Sequence, residues 1–138
     1  MQMISPKSRT MPPGPFSMAV RHDNLVYVSG QVAYDGEKGK PVEGNIEVQA
    51  RQTLNNLKTV LESAGSSLDK VIKLTCILPN FPEDYLGFNK VFEEFFPGPY
   101  YPARTSIQAG LLGGFIVEIE AIAACETLYA AKYKTSPR

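Results

Sequence analysis

Arg104 lies in Tyr101-Pro102-Ala103-Arg104-Thr105-Ser106, and beyond a glycine-rich stretch Val117-Glu118-Ile119-Glu120-Ala121-Ile122-Ala123 sets two carboxylates in otherwise apolar, strand-like sequence. A charge inside such a run either faces water or is held by a partner, because desolvating it alone is costly. Arg104 is the only basic residue between Lys90 and Lys132. An isolated guanidinium in an uncharged neighbourhood suits a small carboxylate ligand, since its planar fork offers two parallel hydrogen bonds. Two plainer readings stand beside this one. Arg104 could form a structural salt bridge to Glu118 or Glu120, and the two glutamates, which project to one side of a strand, could simply face solvent.

The remaining residue types narrow the chemistry. The single histidine, His22, stands in the polar cluster Arg21-His22-Asp23-Asn24, which reads as a hairpin turn. Cys76 and Cys125 lie in separate apolar runs and read as buried free thiols of a reducing compartment. This set supplies neither an ordinary zinc site nor a Ser-His or Cys-His couple. Thr105 and Ser106 lack a neighbouring base in sequence and read as packing or hydrogen-bonding hydroxyls. Any catalysis must use carboxylates, arginine, hydroxyls, backbone groups and water.

With 138 residues, 43% of them hydrophobic, the chain suits one domain with one core. Fourteen basic residues balance fourteen acidic ones, which leaves no electrostatic footprint for a nucleic acid. No apolar run approaches the roughly 20 residues of a membrane helix, and the first residues lack a secretory h-region. A soluble, cytoplasmic protein is the expectation.

The elements that must hold these residues follow from the pattern. Residues 1–15 carry Pro6, Pro12, Pro13 and Pro15 and read as an extended arm, with the domain spanning 16–130 and a short tail at 131–138. Residues 17–21 and 25–29 flank the His22 turn as an antiparallel pair. From Asn45, apolar Ile46, Ala50, Leu54, Leu57, Leu61 and Ala64 recur at helical spacing, with Asn45 as N-cap and Gly65 as stop. Residues 71–78 read as a largely buried strand ended by Pro79. Residues 83–96 place Tyr85, Phe88, Phe92 and Phe95 at helical spacing, a stripe that reads as core, before Pro97-Gly98-Pro99. Residues 105–109 and 115–124 complete the strands. This order predicts an α+β layer pair with both helices on one face of a mixed sheet. The other face, apolar but lacking helices, calls for a symmetric oligomer, with pockets between subunits.

Taken in order, Gly14-Pro15-Phe16-Ser17-Met18-Ala19-Val20, Val28-Ser29-Gly30-Gln31, Gln49-Ala50-Arg51-Gln52-Thr53-Leu54-Asn55-Asn56, Tyr101-Pro102-Ala103-Arg104-Thr105 and Glu118-Ile119-Glu120-Ala121-Ile122-Ala123 resemble the Rid (YjgF) family of reactive intermediate deaminases. The resemblance covers about residues 13–124. It implies a chorismate-mutase-like two-layer fold, a mixed six-stranded sheet with two helices on one face, and a homotrimer with three intersubunit clefts and no metal or organic cofactor. It also implies hydrolysis of 2-imino acids or their enamine tautomers to 2-keto acids and ammonia. By the same resemblance Arg104 matches the arginine that grips the substrate carboxylate, and Glu118 the glutamate that positions or activates water. Phe16, Ser29, Gly30, Asn89 and Ser106 match pocket-lining positions. Three departures bear on substrate range: Phe16 stands where the family commonly has tyrosine, Ser106 where it often has cysteine, and the 110–114 turn is shorter and richer in glycine. Two other functions remain open: a non-catalytic binder or regulator using the same cleft, and an endoribonuclease. Neutral charge and the lack of clustered lysines weigh against the latter.

Overall fold

The structure, a computed structural model, describes residues 1–126. Eight strands, β1 (Gln2–Ile4), β2 (Ala19–His22), β3 (Leu25–Gln31), β4 (Tyr34–Asp35), β5 (Lys40–Pro41), β6 (Val71–Ile77), β7 (Ala103–Ile107) and β8 (Glu118–Ala124), accompany two helices, α1 (Ile46–Ser63) and α2 (Phe81–Phe95). Six strands form one sheet in the order β1-β2-β3-β8-β6-β7, while β4 and β5 make a small separate hairpin. Only β6 and β7 run parallel; the other neighbours are antiparallel. The α+β two-layer fold expected from sequence is therefore present.

Both helices are amphipathic and close over one sheet face, where Leu54, Leu57 and Leu61 of α1 and Phe88 and Val91 of α2 meet Val26, Leu74, Cys76 and Ile119 in one core. Asn45 caps α1 by accepting the Val48 N–H at 3.1 Å. Gly65 ends it at φ +77°, a left-handed conformation that costs glycine little. The Arg21 guanidinium donates to the Ala64 and Glu126 carbonyls and so occupies the helix's negative end. Among the described residues no helix is long and apolar enough to cross a membrane.

Several boundaries differ from the sequence pattern, each for a non-local reason. Residues 1–15, expected to be an arm outside the domain, supply β1, which pairs with β2 and buries Ile4. Helix α2 begins two residues early, at Phe81, with Pro82 in its first turn. Strand β7 sits two residues before its expected span because it pairs in register with β6, which ends at Ile77. Strand β8 starts three residues late because Phe115 packs with Val32 and Tyr34, while the Ile116 N–H donates to Gln49 Oε1 at 3.0 Å. The tail expected at 131–138 lies outside the described residues.

Two buried amides of α1 hold the loops in place. Gln49 Nε2 donates to the Val42 and Gly114 carbonyls at 3.0 and 2.6 Å. Asn56 Nδ2 serves the Val32 and Tyr34 carbonyls at 2.9 and 3.0 Å and reaches the Thr10 carbonyl at 3.4 Å. Replacing Asn56 with alanine leaves these acceptors without their side-chain donor, so the substitution is expected to lower unfolding free energy by about 2–3 kcal/mol. Urea denaturation measures this, and a loss near zero would show that water takes over the bonds.

Candidate active site

Parallel pairing of β7 with β6 sets Arg104 opposite Leu74 and Ser106 opposite Cys76. In-register partners share a sheet face, so Arg104 points under α2. There Nη2 donates to Asn89 Oδ1 at 2.8 Å and to the Tyr85 hydroxyl at 3.2 Å. The guanidinium carbon lies 4.8, 5.4 and 5.7 Å from the ring centres of Phe92, Phe88 and Tyr85. The aromatic stripe thus does more than fill the core, since three of its four members form a π cradle for the cation. Among the described residues the ion pairs are His22–Asp23, Arg51–Glu94 and Lys90–Glu47. The salt bridge from Arg104 to Glu118 or Glu120 is therefore not formed. A half-buried cation held only by neutral acceptors and ring faces retains its capacity for an anion. Beside it lies a cavity of about 260 Å³ lined by Asn89, Phe92, Glu93, Tyr101, Pro102 and Arg104.

Glu118 takes the opposite face. It pairs with Ile77 across β8 and β6, and Glu120 with Thr75; Ile77 and Thr75 pair in turn with Ile107 and Thr105 of β7. This is the face without helices, where Tyr27 is 45% and Ile107 43% exposed. Partial burial lifts the Glu118 carboxyl above its ordinary value, with Glu120 adding like-charge repulsion. Strand β3 carries a register irregularity between Val28 and Gln31 that brings Ser29 and Gly30 beside Glu118. The Ser29 hydroxyl donates to the Ser17 carbonyl at 2.5 Å and thereby ties β3 to the segment bearing Phe16. Phe16, Ser29, Gly30, Glu118, Glu120, Met11 and Ile77 surround a second cavity of about 240 Å³.

The expected site residues consequently fall into two groups. Arg104 and Asn89 are in contact on the helix face, and Ser106 shares that face, its buried hydroxyl without a hydrogen-bond partner among the described residues. Phe16, Ser29, Gly30 and Glu118 gather on the other face. Arg104 lies three residues along β7 from the row holding Glu118, about 10 Å at the usual rise. One small acid cannot contact both within a single chain. Cys76 backs the Arg104 side, and burial pushes its thiol up to about 12 against the opposing pull of Arg104, which suits packing and not nucleophilic attack. Among the described residues no three His, Cys, Asp or Glu side chains group as metal ligands.

A family model described as Endoribonuclease L-PSP matches residues 7–125. The chain belongs to the Rid (YjgF) family. It is 40% identical over 111 residues to a 2-iminobutanoate/2-iminopropanoate deaminase of Mus musculus, covering 80% of this chain and 81% of that protein. It is 38% identical over 123 residues to a RutC family protein of Pyrococcus horikoshii, covering 88% and 96%. The crystal structure of RidA from an Antarctic Psychrobacter matches this Rid chain with a TM-score of 0.83 at 37% identity, covering 90% and 99%.

Sequence reasoning missed Tyr85 as a partner of Arg104, although it sits one helical turn before Asn89 and shares its face. Gln49 and Asn56 stand at the two ends of segment 49–56, which resembles the Rid family, but nothing local shows which loops they hold. Met11 carried no signal at all.

Proposed function

We propose that this Rid chain hydrolyses reactive 2-imino and enamine acids such as 2-aminoacrylate, 2-iminopropanoate and 2-iminobutanoate to 2-keto acids and ammonia. The observation that carries the reading is the Arg104 guanidinium, oriented by Asn89 and stacked on Phe92, with no carboxylate partner among the described residues. The two groups of residues on opposite sheet faces support a site completed between copies. One subunit of a homotrimer would supply Arg104 and the next Glu118, with the bare sheet face buried between them.

In this reading Arg104 grips the substrate carboxylate through a bidentate fork and fixes C2 of the imine. Glu118 takes a proton from water as its oxygen bonds to C2, and the resulting carbinolamine receives that proton on nitrogen. The C2–N bond then breaks as the hydroxyl proton passes through Glu118 to the departing nitrogen, and keto acid and ammonia leave. An enamine first takes a proton at C3 and gives one up from nitrogen, which makes it the imine. A carboxylate with a raised pKa is the better base for this step. No cofactor enters the scheme, and a cytoplasmic location accompanies it. The endoribonuclease named in the family description finds less support here, because the chain has zero net charge and its one histidine stands in an exposed turn.

The test is keto acid release when a serine or threonine dehydratase generates the imine in the presence of semicarbazide. Acceleration by the protein supports hydrolysis; binding of a keto acid without acceleration would favour the non-catalytic reading. A Cβ at Gly30 would lie 2.8 Å from Glu118 Cδ and 3.1 Å from Oε1, so Gly30→Ala must push the carboxyl aside. The expected result is a loss in kcat of about 100-fold, the scale of a 1 Å misplacement. An unchanged kcat would show that the position of Glu118 is immaterial.

A further inference from the structure

The segment before the first long strand is built into the Glu118 cavity. Thr10 is buried, its carbonyl is within reach of Asn56 Nδ2, and its hydroxyl donates to the Met18 sulfur at 3.5 Å. The adjoining Arg9 carbonyl lies where a Cβ on Gly36 would be only 2.1 Å away, so this stretch of chain lies directly on the β4–β5 hairpin. Met11 is therefore held by its neighbours. Its side chain packs on Val32, Tyr34 and Phe115, together with Leu111, and also lines the cavity with Phe16, Ile77 and Glu118.

The walls of this cavity divide by chemistry. Glu118, Glu120 and Ser29 supply polar atoms, and Met11, Phe16 and Ile77 supply apolar surface; among the described residues no cation lines it. A 2-imino acid with its carboxylate on Arg104 of one copy and C2 beside Glu118 of the next has one group left to place, its side chain. The apolar wall is what remains for that group. A second carboxylate there would meet Glu118 and Glu120 without a counter-charge.

We infer that Met11 is a specificity-determining residue: it closes the apolar wall against the substrate side chain and restricts the enzyme to short, unbranched aliphatic 2-imino acids. This inference rests on the deaminase reading and names the part of the substrate that the reading left open. A methionine suits the task because its unbranched thioether adapts to chains of slightly different length. Apolar pockets discriminate by about 10- to 200-fold per methylene-sized change, so the effect of truncation is measurable.

An L-amino-acid oxidase generates the imines from alanine, norvaline, leucine and glutamate, and semicarbazide competition then yields relative kcat/KM values. The native protein is expected to prefer the alanine- and norvaline-derived imines and to use the glutamate-derived one least. Met11→Ala is expected to shift the leucine-to-alanine ratio about 10-fold toward leucine, while Met11→Leu, which keeps the volume, holds it near the native value. A merely structural role would scale all substrates alike, and that outcome overturns the assignment of Met11 while leaving deaminase activity standing. A native preference for the glutamate-derived imine would also overturn it. Absence of turnover with every imine would sink the deaminase reading and the inference with it.

Discussion

Replacing Arg104 with lysine is expected to lower kcat/KM for imine hydrolysis by about 100-fold or more, although the charge is kept. Lysine offers a point charge where arginine offers a planar fork. It can neither stack flat over Phe92, now 4.8 Å from the guanidinium carbon, nor hold Asn89 while presenting two parallel donors to a carboxylate. Stability should change far less. Cation–π contacts of this kind contribute about 0.5–2 kcal/mol, against a usual total of about 5–15 kcal/mol, so the variant remains folded. The semicarbazide competition assay and a thermal melt on the same preparation separate the two effects. Near-native turnover would remove Arg104 from the mechanism, and a collapse of the melting temperature would assign it a structural role.

Glu118→Gln should cost about 10²- to 10⁴-fold in kcat, the usual contribution of a positioned base, and should raise the melting temperature at neutral pH. The sign follows from the raised pKa of Glu118, caused first by burial and then by Glu120. A carboxyl held above its unfolded value binds its proton more tightly when folded. Its stabilising contribution is full below the unfolded pKa and is lost as pH rises through the folded one. At neutral pH the ionised carboxylate therefore opposes folding, and a neutral amide removes the penalty. The gain in melting temperature should shrink toward zero as the pH is lowered through the carboxylate range. In the native protein the acid limb of kcat/KM for imine hydrolysis should lie above the ordinary carboxylate range. Calorimetry across pH, paired with the rate profile, checks both; a variant with native kcat, or one with no pH-dependent gain, contradicts the assignment.

Glu118→Gln pits catalysis against stability at one position. Glu118 is half-buried on a face without helices and beside another carboxylate, which is a poor arrangement for a lone monomer. It is the arrangement that the proposed general-base role requires.

Much of the architecture was legible before any coordinates. The 3.6-residue spacing from Ile46 to Leu61, with Asn45 and Gly65 at its ends, specifies α1 because helix bonds are local and each turn marks itself. The spacing of Phe88 and Phe92 did the same for α2. Arg104 and Glu118 stood out because a charge in an apolar strand requires a reason. Strand register could not be read in this way, since it depends on partners far away in sequence. The pairing of Arg104 with Leu74, and of Glu118 with Ile77, is what sends the two side chains to opposite faces. A shift of one residue would exchange the faces while leaving the local pattern untouched.

The N-terminal residues show the same division. Prolines and weak periodicity described residues 1–15 as an arm, yet Gln2–Ile4 finds the free edge of β2, and Asn56 captures the carbonyl of Thr10. Sequence by itself determined the helices, the presence of the five longer strands, the charged pair and the family. Tertiary structure alone decided that the arm joins the sheet, that Met11 reaches the Glu118 cavity, and that Arg104 and Glu118 cannot meet within one chain. The reason is that strand pairing and loop capture satisfy hydrogen bonds over long sequence separations, and a donor such as Asn56 carries no local mark of which carbonyl it will serve.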